Sequence, residues 1–219
     1  MQNTRATNIV VIPNPVFFPI IKKEPILDIP QNLNSHRIIL AVGRLTVQKQ
    51  FEMLINTFHK ISCDFPLWSL VILGEGELRA ELETQVNALA LGERVFLPGM
   101  AGNVAEWYER ADLYVMTSEY EGFPNTLIEA MSYGCPAISF DCDTGPRDII
   151  RHQVDGLLVE KNNVKEFESA LCDLMSNDFL RHQYAIKAIE VRDRFSLYTI
   201  INMWEHLFSS LGLQHDKQV

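Results

Sequence analysis

Ile38-Ile39-Leu40-Ala41-Val42-Gly43-Arg44-Leu45-Thr46-Val47-Gln48-Lys49-Gln50 is the stretch from which the fold class is read. Five apolar residues run without a polar break, and a glycine then turns the chain. Phe51, Leu54, Ile55 and Phe58 follow at the i, i+3, i+4, i+7 spacing of an amphipathic helix. A strand apolar through its whole length is one buried on both faces. The same unit recurs along the chain. Strands are expected at 70–73, 95–97, 113–116, 137–140 and 157–159 in addition to 38–42. Helices are expected at 51–60, 77–90, 104–110, 126–133 and 147–150. This alternation predicts an α/β fold, a Rossmann-like parallel sheet of about six strands with helices on both faces. Three more helices, at 164–175, 179–192 and 197–211, follow the sheet, the last carrying Ile200, Ile201, Trp204, Leu207, Phe208 and Leu211 as one stripe.

The flanks read differently. Residues 1–35 hold half of the prolines and no glycine; only 8–12 is strand-like, and Asn14-Pro15 ends it. The expected division is a remnant strand and extended connector at 1–35, the folded unit at 36–212 and a polar tail at 213–219. A chain of 219 residues with 47% hydrophobic and 21% charged residues can bury a sizeable core. A net charge of -9 argues against a nucleic-acid surface, while leaving room for a local anion site. No apolar run is long enough to cross a bilayer, and none reads as a signal peptide. Cys63, Cys135, Cys142 and Cys172 are widely spaced and no histidines pair at ligand spacing, so no metal site is expected. A cytoplasmic setting with reduced thiols and at most peripheral membrane contact follows from these readings.

In a parallel sheet, ligands bind beyond the carboxyl ends of the strands, so the loops leaving each strand carry the chemistry. Arg44 and Lys49 lie in one such loop ahead of a helix N-terminus; a fork and a point charge together suit a diphosphate, or are two solvated surface cations. Gly74-Glu75-Gly76-Glu77-Leu78-Arg79 is a G-x-G-x-x-G with Arg79 in the third glycine's place: a tight turn, or a place where a ligand approaches Gly74 closely. Ser118-Glu119-Tyr120-Glu121-Gly122-Phe123-Pro124-Asn125-Thr126-Leu127-Ile128-Glu129 leaves a strand and opens a helix. Its amides around Phe123 to Thr126 make an anion site, and its carboxylates can accept paired sugar hydroxyls. Thr126-x-x-Glu129 is equally a capping box, with Glu129 bound only to backbone. Asp148 reads as a first-turn partner of its helix, and Cys135 and Cys142 as core thiols.

Taken in order, Gly43-Arg44-Leu45 with Lys49, Gly74-Glu75-Gly76, Leu97-Pro98-Gly99, Glu121 through Asn125 to Glu129-Ala130-Met131, Gly134-Cys135-Pro136, Thr144-Gly145-Pro146 and Asp155-Gly156-Leu157 resemble the C-terminal half of a GT-B-fold retaining glycosyltransferase of the E-x7-E family, family 4 of the sugar-transferase classification. The resemblance implies a nucleotide-sugar donor as substrate, here UDP-linked, and no cofactor. It implies that Arg44, Lys49 and Glu121 act on the reacting groups. It also implies that Gly43, Gly74, Met100, Gly122, Phe123, Pro124, Asn125, Thr126 and Glu129 bind the donor, Glu129 at the ribose and Met100 beside the base. The acceptor would be a sugar or lipid-linked sugar in surface-polysaccharide or lipid-linked oligosaccharide synthesis. Two departures stand out. Gln50 replaces the glycine usual after the lysine, a change its side chain tolerates by facing out; and no acceptor-binding N-terminal domain precedes 8–12, so the chain alone is expected to be inactive. The rival readings are a non-catalytic nucleotide-sugar-binding or regulatory half, a sugar-nucleotide epimerase of the same fold, and a nicotinamide oxidoreductase, which Arg79 argues against.

Overall fold

The computed structural model describes residues 9–142 and 144–211. The expected 213–219 tail, and Asn8 of the strand-like piece, lie outside them. The sheet consists of β1 (Arg37–Val42), β2 (Trp68–Leu73), β3 (Val95–Gly99), β4 (Leu113–Met116), β5 (Ala137–Asp141) and β6 (Gly156–Glu160). All neighbours pair parallel, in the order β3-β2-β1-β4-β5-β6. The helices are α1 (Phe51–Ile61), α2 (Arg79–Ala88), α3 (Val104–Arg110), α4 (Asn125–Ser132), α5 (Pro146–Ile149), α6 (Val164–Ser176), α7 (Asp178–Ala188), α8 (Val191–Arg194) and α9 (Leu197–Ser210).

Because strand side chains alternate faces, each strand feeds two cores. Ile39, Ala41, Leu70, Ile72, Leu113, Val115, Ile138 and Phe140 pack with residues of α1, α2 and α6. Ile38, Leu40, Val71, Leu73, Tyr114, Met116 and Ala137 pack with residues of α3, α4 and α8 on the other face. Helices on both faces are what unbroken apolar strands require.

The differences from expectation have local causes. The α2 helix begins only at Arg79, because Glu77 and Leu78 complete a turn in which the Leu78 N–H donates to Leu45 O at 3.0 Å. The helix expected over 179–192 is two, α7 and α8; Arg151 reaches the break, donating to Lys187 O at 3.2 Å and pairing with Glu190 at 2.7 Å. The strand expected at 8–12 does not form in the described residues. Residues 9–12 are irregular, with Ile9, Val10 and Val11 exposed, since β3 and β6 end the sheet and neither accepts them.

The irregular segment beyond is nevertheless tied down. The Val16 N–H donates to Phe195 O at 2.8 Å. The Lys23 N–H donates to Gly102 O at 3.0 Å, and the Gly102 N–H to Pro25 O at 2.6 Å. The buried Asn103 amide exchanges two 3.0 Å bonds with the Leu27 backbone. Residues 23–27 therefore brace the loop that leaves β3. On α9 only Ile200 is buried; Trp204 is 44% exposed and stacks on Phe208. No helix among the described residues is long and apolar enough to cross a membrane.

Candidate functional site

Strand order reverses between β1 and β4, so the loops leaving these two strands diverge and open a crevice at their carboxyl ends. Gly43, Arg44 and Lys49 leave β1 into it, and Glu121 leaves β4. These residues line a cavity of about 450 Å³, together with Thr46, Val47, Gln48, Glu77 and Tyr120.

Lys49 Nζ donates to Glu121 Oε1 at 2.5 Å, with the two side chains only 17% and 11% exposed. Backbone ties fix the same crossing. The Glu119 N–H donates to Gln48 O at 2.8 Å, Gln48 Nε2 to Tyr120 O at 2.6 Å, and Thr117 Oγ1 to Lys49 O at 2.6 Å. Gly43 makes room for the lysine: a Cβ there would lie 2.9 Å from Lys49 Cε. Arg44 is exposed and, among the described residues, its guanidinium has no hydrogen bond or ion pair. One cation is thus offered to solvent and a second is held by a carboxylate beside it.

A second cavity of about 450 Å³ shares Gly43 and Arg44 and continues past Gly74 and Gly76 to Met100, Ala101 and Val104. Its walls are largely apolar, and the braced β3 loop forms one side. The glycine at 74, which lines this cavity, also answers to a demand of the chain. Its φ is +141°, and a Cβ would sit 1.9 Å from Gly43 O, so one close approach is made by the backbone leaving β1. Arg79, in the third glycine's place, donates to Gly74 O and Leu97 O at 3.1 Å and pins the ends of β2 and β3.

The α4 helix starts at Asn125 behind Pro124, and no side chain caps its first turn. The capping-box alternative for Glu129 is therefore excluded. Instead Glu129 Oε2 accepts from Tyr108 Oη at 3.1 Å. Burial raises the Glu129 pKa above the usual glutamate value, and the tyrosine hydroxyl partly offsets this. Burial likewise pushes Tyr108 well up. Thr126 Oγ1 accepts from Tyr114 Oη at 2.8 Å. Phe123 packs its ring on Phe195, and Gly122 is exposed at the loop tip. Asn125 and Glu129 line a third cavity of about 590 Å³ against residues 14–21 and Lys23. Most expected site residues thus fall into three groups, the cation crevice and the apolar slot at Met100, which share Gly43 and Arg44, and the Asn125–Glu129 face of α4; Gly122, Phe123, Pro124 and Thr126 line none of these cavities.

Asp148 accepts from the Gly145 N–H at 3.2 Å, a first-turn role, and Cys135 and Cys142 are buried, their thiols donating to Tyr108 O and Ser118 O at 3.0 Å. Gln50 departs from expectation. It has φ +52° and ψ +36°, so the usual glycine there is a backbone requirement, and Gln50 carries the strain with its amide on Asn162. Sequence reading missed Thr117, Gln48 and Tyr108. The first two lie on the switch-point loops and could have been sought there; Tyr108 reaches Glu129 only through the packing of α3 on α4, which no local pattern announces.

Among known proteins, the chain is 36% identical over 188 residues to an exopolysaccharide phosphotransferase of Streptomyces coelicolor, covering 85% of this chain and 20% of that one. It is 34% identical over 171 residues to the amylovoran biosynthesis glycosyltransferase AmsD of Erwinia amylovora, covering 78% of this chain and 48% of that one. A solved structure of S. aureus TarM, a mutant in complex with fondaparinux, alpha-GlcNAc-glycerol and UDP, superimposes with a TM-score of 0.80 at 27% identity, over 94% of this chain and 40% of that one. The chain therefore spans between a fifth and a half of the length of these relatives. Residues 23–191 match the model of the glycosyl transferases group 1, and with a GT-B C-terminal fold whose switch-point loops carry Arg44, Lys49 and Glu121, this chain belongs to that family.

Proposed function

We propose that this chain is the donor-binding part of a retaining glycosyltransferase that takes a UDP-linked hexose or N-acetylhexosamine. The observation that carries the reading is the meeting of Lys49 and Glu121, with Arg44 free beside them, where the β1 and β4 loops cross. When a nucleoside diphosphate leaves the anomeric carbon, negative charge grows on its terminal phosphate. Arg44, Lys49 and the uncapped first turn of α4 present fixed positive charge to that growth, so they favour the transition state over the bound donor. Lys49 turns from Glu121 toward the phosphate, and Glu121 then accepts hydroxyls of the donor sugar. Glu129 accepts the ribose hydroxyls, and the apolar slot at Met100 takes the base. The leaving phosphate receives the acceptor's proton, and transfer proceeds without a metal ion or cofactor.

Transfer also needs an acceptor held against the donor, which can supply roughly 7–11 kcal/mol of the barrier reduction. That task falls to an acceptor-binding domain, with a sugar or lipid-linked sugar as its ligand. The names of the Streptomyces and Erwinia relatives, an exopolysaccharide phosphotransferase and an amylovoran biosynthesis glycosyltransferase, support a place in surface-polysaccharide synthesis, and we place the chain at the cytoplasmic face of the membrane with peripheral contact at most. Residues 1–35 then serve as the connector between domains and 36–212 as the nucleotide-sugar-binding domain.

Calorimetry of the chain with UDP, GDP and ADP, each with and without EDTA, tests the reading. UDP should bind most tightly, with an affinity that EDTA leaves unchanged. Failure of all three to bind would sink the donor site, and binding abolished by EDTA would sink the metal-free mechanism. A second reading, a nucleotide-sugar-binding module without transfer, draws on the Streptomyces relative, a named phosphotransferase of which the match covers 20%. It predicts donor binding without turnover even when an acceptor domain is supplied.

A further inference from the structure

We infer that Thr117 is a positioning residue for Lys49, acting on its backbone from behind the crevice. The inference rests on the reading of the β1–β4 crevice as a diphosphate site. Thr117 immediately follows β4 and is 1% exposed, so its hydroxyl is turned away from any ligand. Thr117 Oγ1 donates to Lys49 O at 2.6 Å.

The carbonyl it holds is under unusual constraint. Lys49 ends the 3-10 turn Val47–Lys49, where its N–H donates to Thr46 O at 3.1 Å. The next residue, Gln50, stands at φ +52°, a conformation that costs a side-chain-bearing residue about 1–2 kcal/mol. That strain gives the peptide between Lys49 and Gln50 an incentive to turn over, although its N–H is held by Val47 O at 3.1 Å. The Thr117 hydroxyl opposes this, so both backbone polar groups of Lys49 are fixed and its side chain departs in one direction. That direction takes the stem across the bare Cα of Gly43 and places Nζ on Glu121. The lysine stem is therefore held in the crevice before any ligand arrives, so that only its terminal ammonium has to turn from Glu121 to a phosphate.

The bland alternative is a buried hydroxyl that simply takes a nearby acceptor. Titration of UDP and UMP into the chain carrying Thr117→Val, Thr117→Ser or Lys49→Ala, and into the Thr117→Val/Lys49→Ala pair, separates the two. Thr117→Val keeps the shape and removes the hydroxyl; it should weaken UDP about 3- to 10-fold. UMP, which lacks the terminal phosphate, should change little, and Thr117→Ser should restore UDP binding. In the Lys49→Ala background Thr117→Val should have no further effect. If Thr117→Val does not fold, Thr117→Ala carries the same comparison. UDP binding weakened by Lys49→Ala but untouched by Thr117→Val, or equal losses for UDP and UMP, overturns the inference alone. Wild-type chain that binds no UDP overturns the diphosphate reading and this inference with it.

Discussion

Replacing Glu129 by glutamine sets the fold and the proposed site against each other. Glu129 sits one turn inside α4, half-buried, with Tyr108 Oη at 3.1 Å. Its pKa is raised, first by burial, with the tyrosine bond acting the other way. A carboxyl group whose folded pKa lies above its unfolded value holds its proton more readily in the native state. It therefore costs stability once pH rises past the ordinary glutamate range near ~4.3 and then past the folded value. Glutamine keeps the volume and accepts from Tyr108 without that cost. Glu129→Gln should accordingly melt higher than wild type at pH 7, and the gain should vanish below about pH 4. Binding should move the other way. A charge-assisted bond to ribose contributes about 1.5–3 kcal/mol, so UDP affinity should fall about 10- to 150-fold. Thermal melts across pH 4–8, paired with UDP titrations, read both effects. A lower melting temperature at pH 7 would refute the argument from burial. Unchanged UDP affinity would remove Glu129 from the site.

Lys49→Ala leaves Glu121 mostly buried and alone, as does the reverse change; each should cost about 1–3 kcal/mol, between exposed and fully buried pairs, and the double variant should cost clearly less than their sum in a urea-denaturation cycle. Asp155, at 0% exposure, accepts from the Arg151 N–H at 2.7 Å and from its Nε at 2.6 Å, with Arg194 at 3.4 Å; Asp155→Ala removes these bonds while Arg151 keeps Glu190, and should destabilise by about 1–3 kcal/mol in the same assay. Gln50→Gly relieves the left-handed strain and should stabilise by about 0.5–1 kcal/mol net of the flexibility added to the unfolded chain; a lower melting temperature would mean that the Gln50–Asn162 bond outweighs the strain.

The sheet was legible because its strands are short apolar runs closed by glycine, proline or a charged loop. β4 matched at both ends, and the other five gained one or two residues at the margins, where pairing with a neighbour extends a strand beyond its apolar run. Strand order was not legible, since nothing in a run such as Leu113–Met116 says that it will lie against β1 and not β3. Helix ends failed where a distant side chain intervened, as Arg151 does between α7 and α8. The strand-like 8–12 failed for a related reason: a β-branched apolar run describes a segment fit to pair, while pairing itself needs an edge placed to receive it.

The site divides in the same way. Arg44, Lys49 and Glu121 could be found because they stand in loops that leave strands, and Glu129 because it lies just inside the helix that such a loop opens; the fold brings the first three to one crevice. What holds them could not. Thr117 and Gln48 look like any polar residues of a surface loop until the β4 loop is seen crossing the β1 loop, and Tyr108 is an ordinary core aromatic until α3 packs against α4. Gly74 carries a second constraint that its motif does not announce. A glycine in a phosphate-loop pattern invites a ligand reading, yet its Cβ position is filled by the carbonyl of Gly43, a contact set by two neighbouring strands turning at the same level. Residues that touch a ligand are constrained by chemistry and can be read from type and spacing. Residues that aim them are constrained by the packing of elements far apart in sequence: 68 positions separate Thr117 from Lys49, and their contact exists only because β4 lies beside β1.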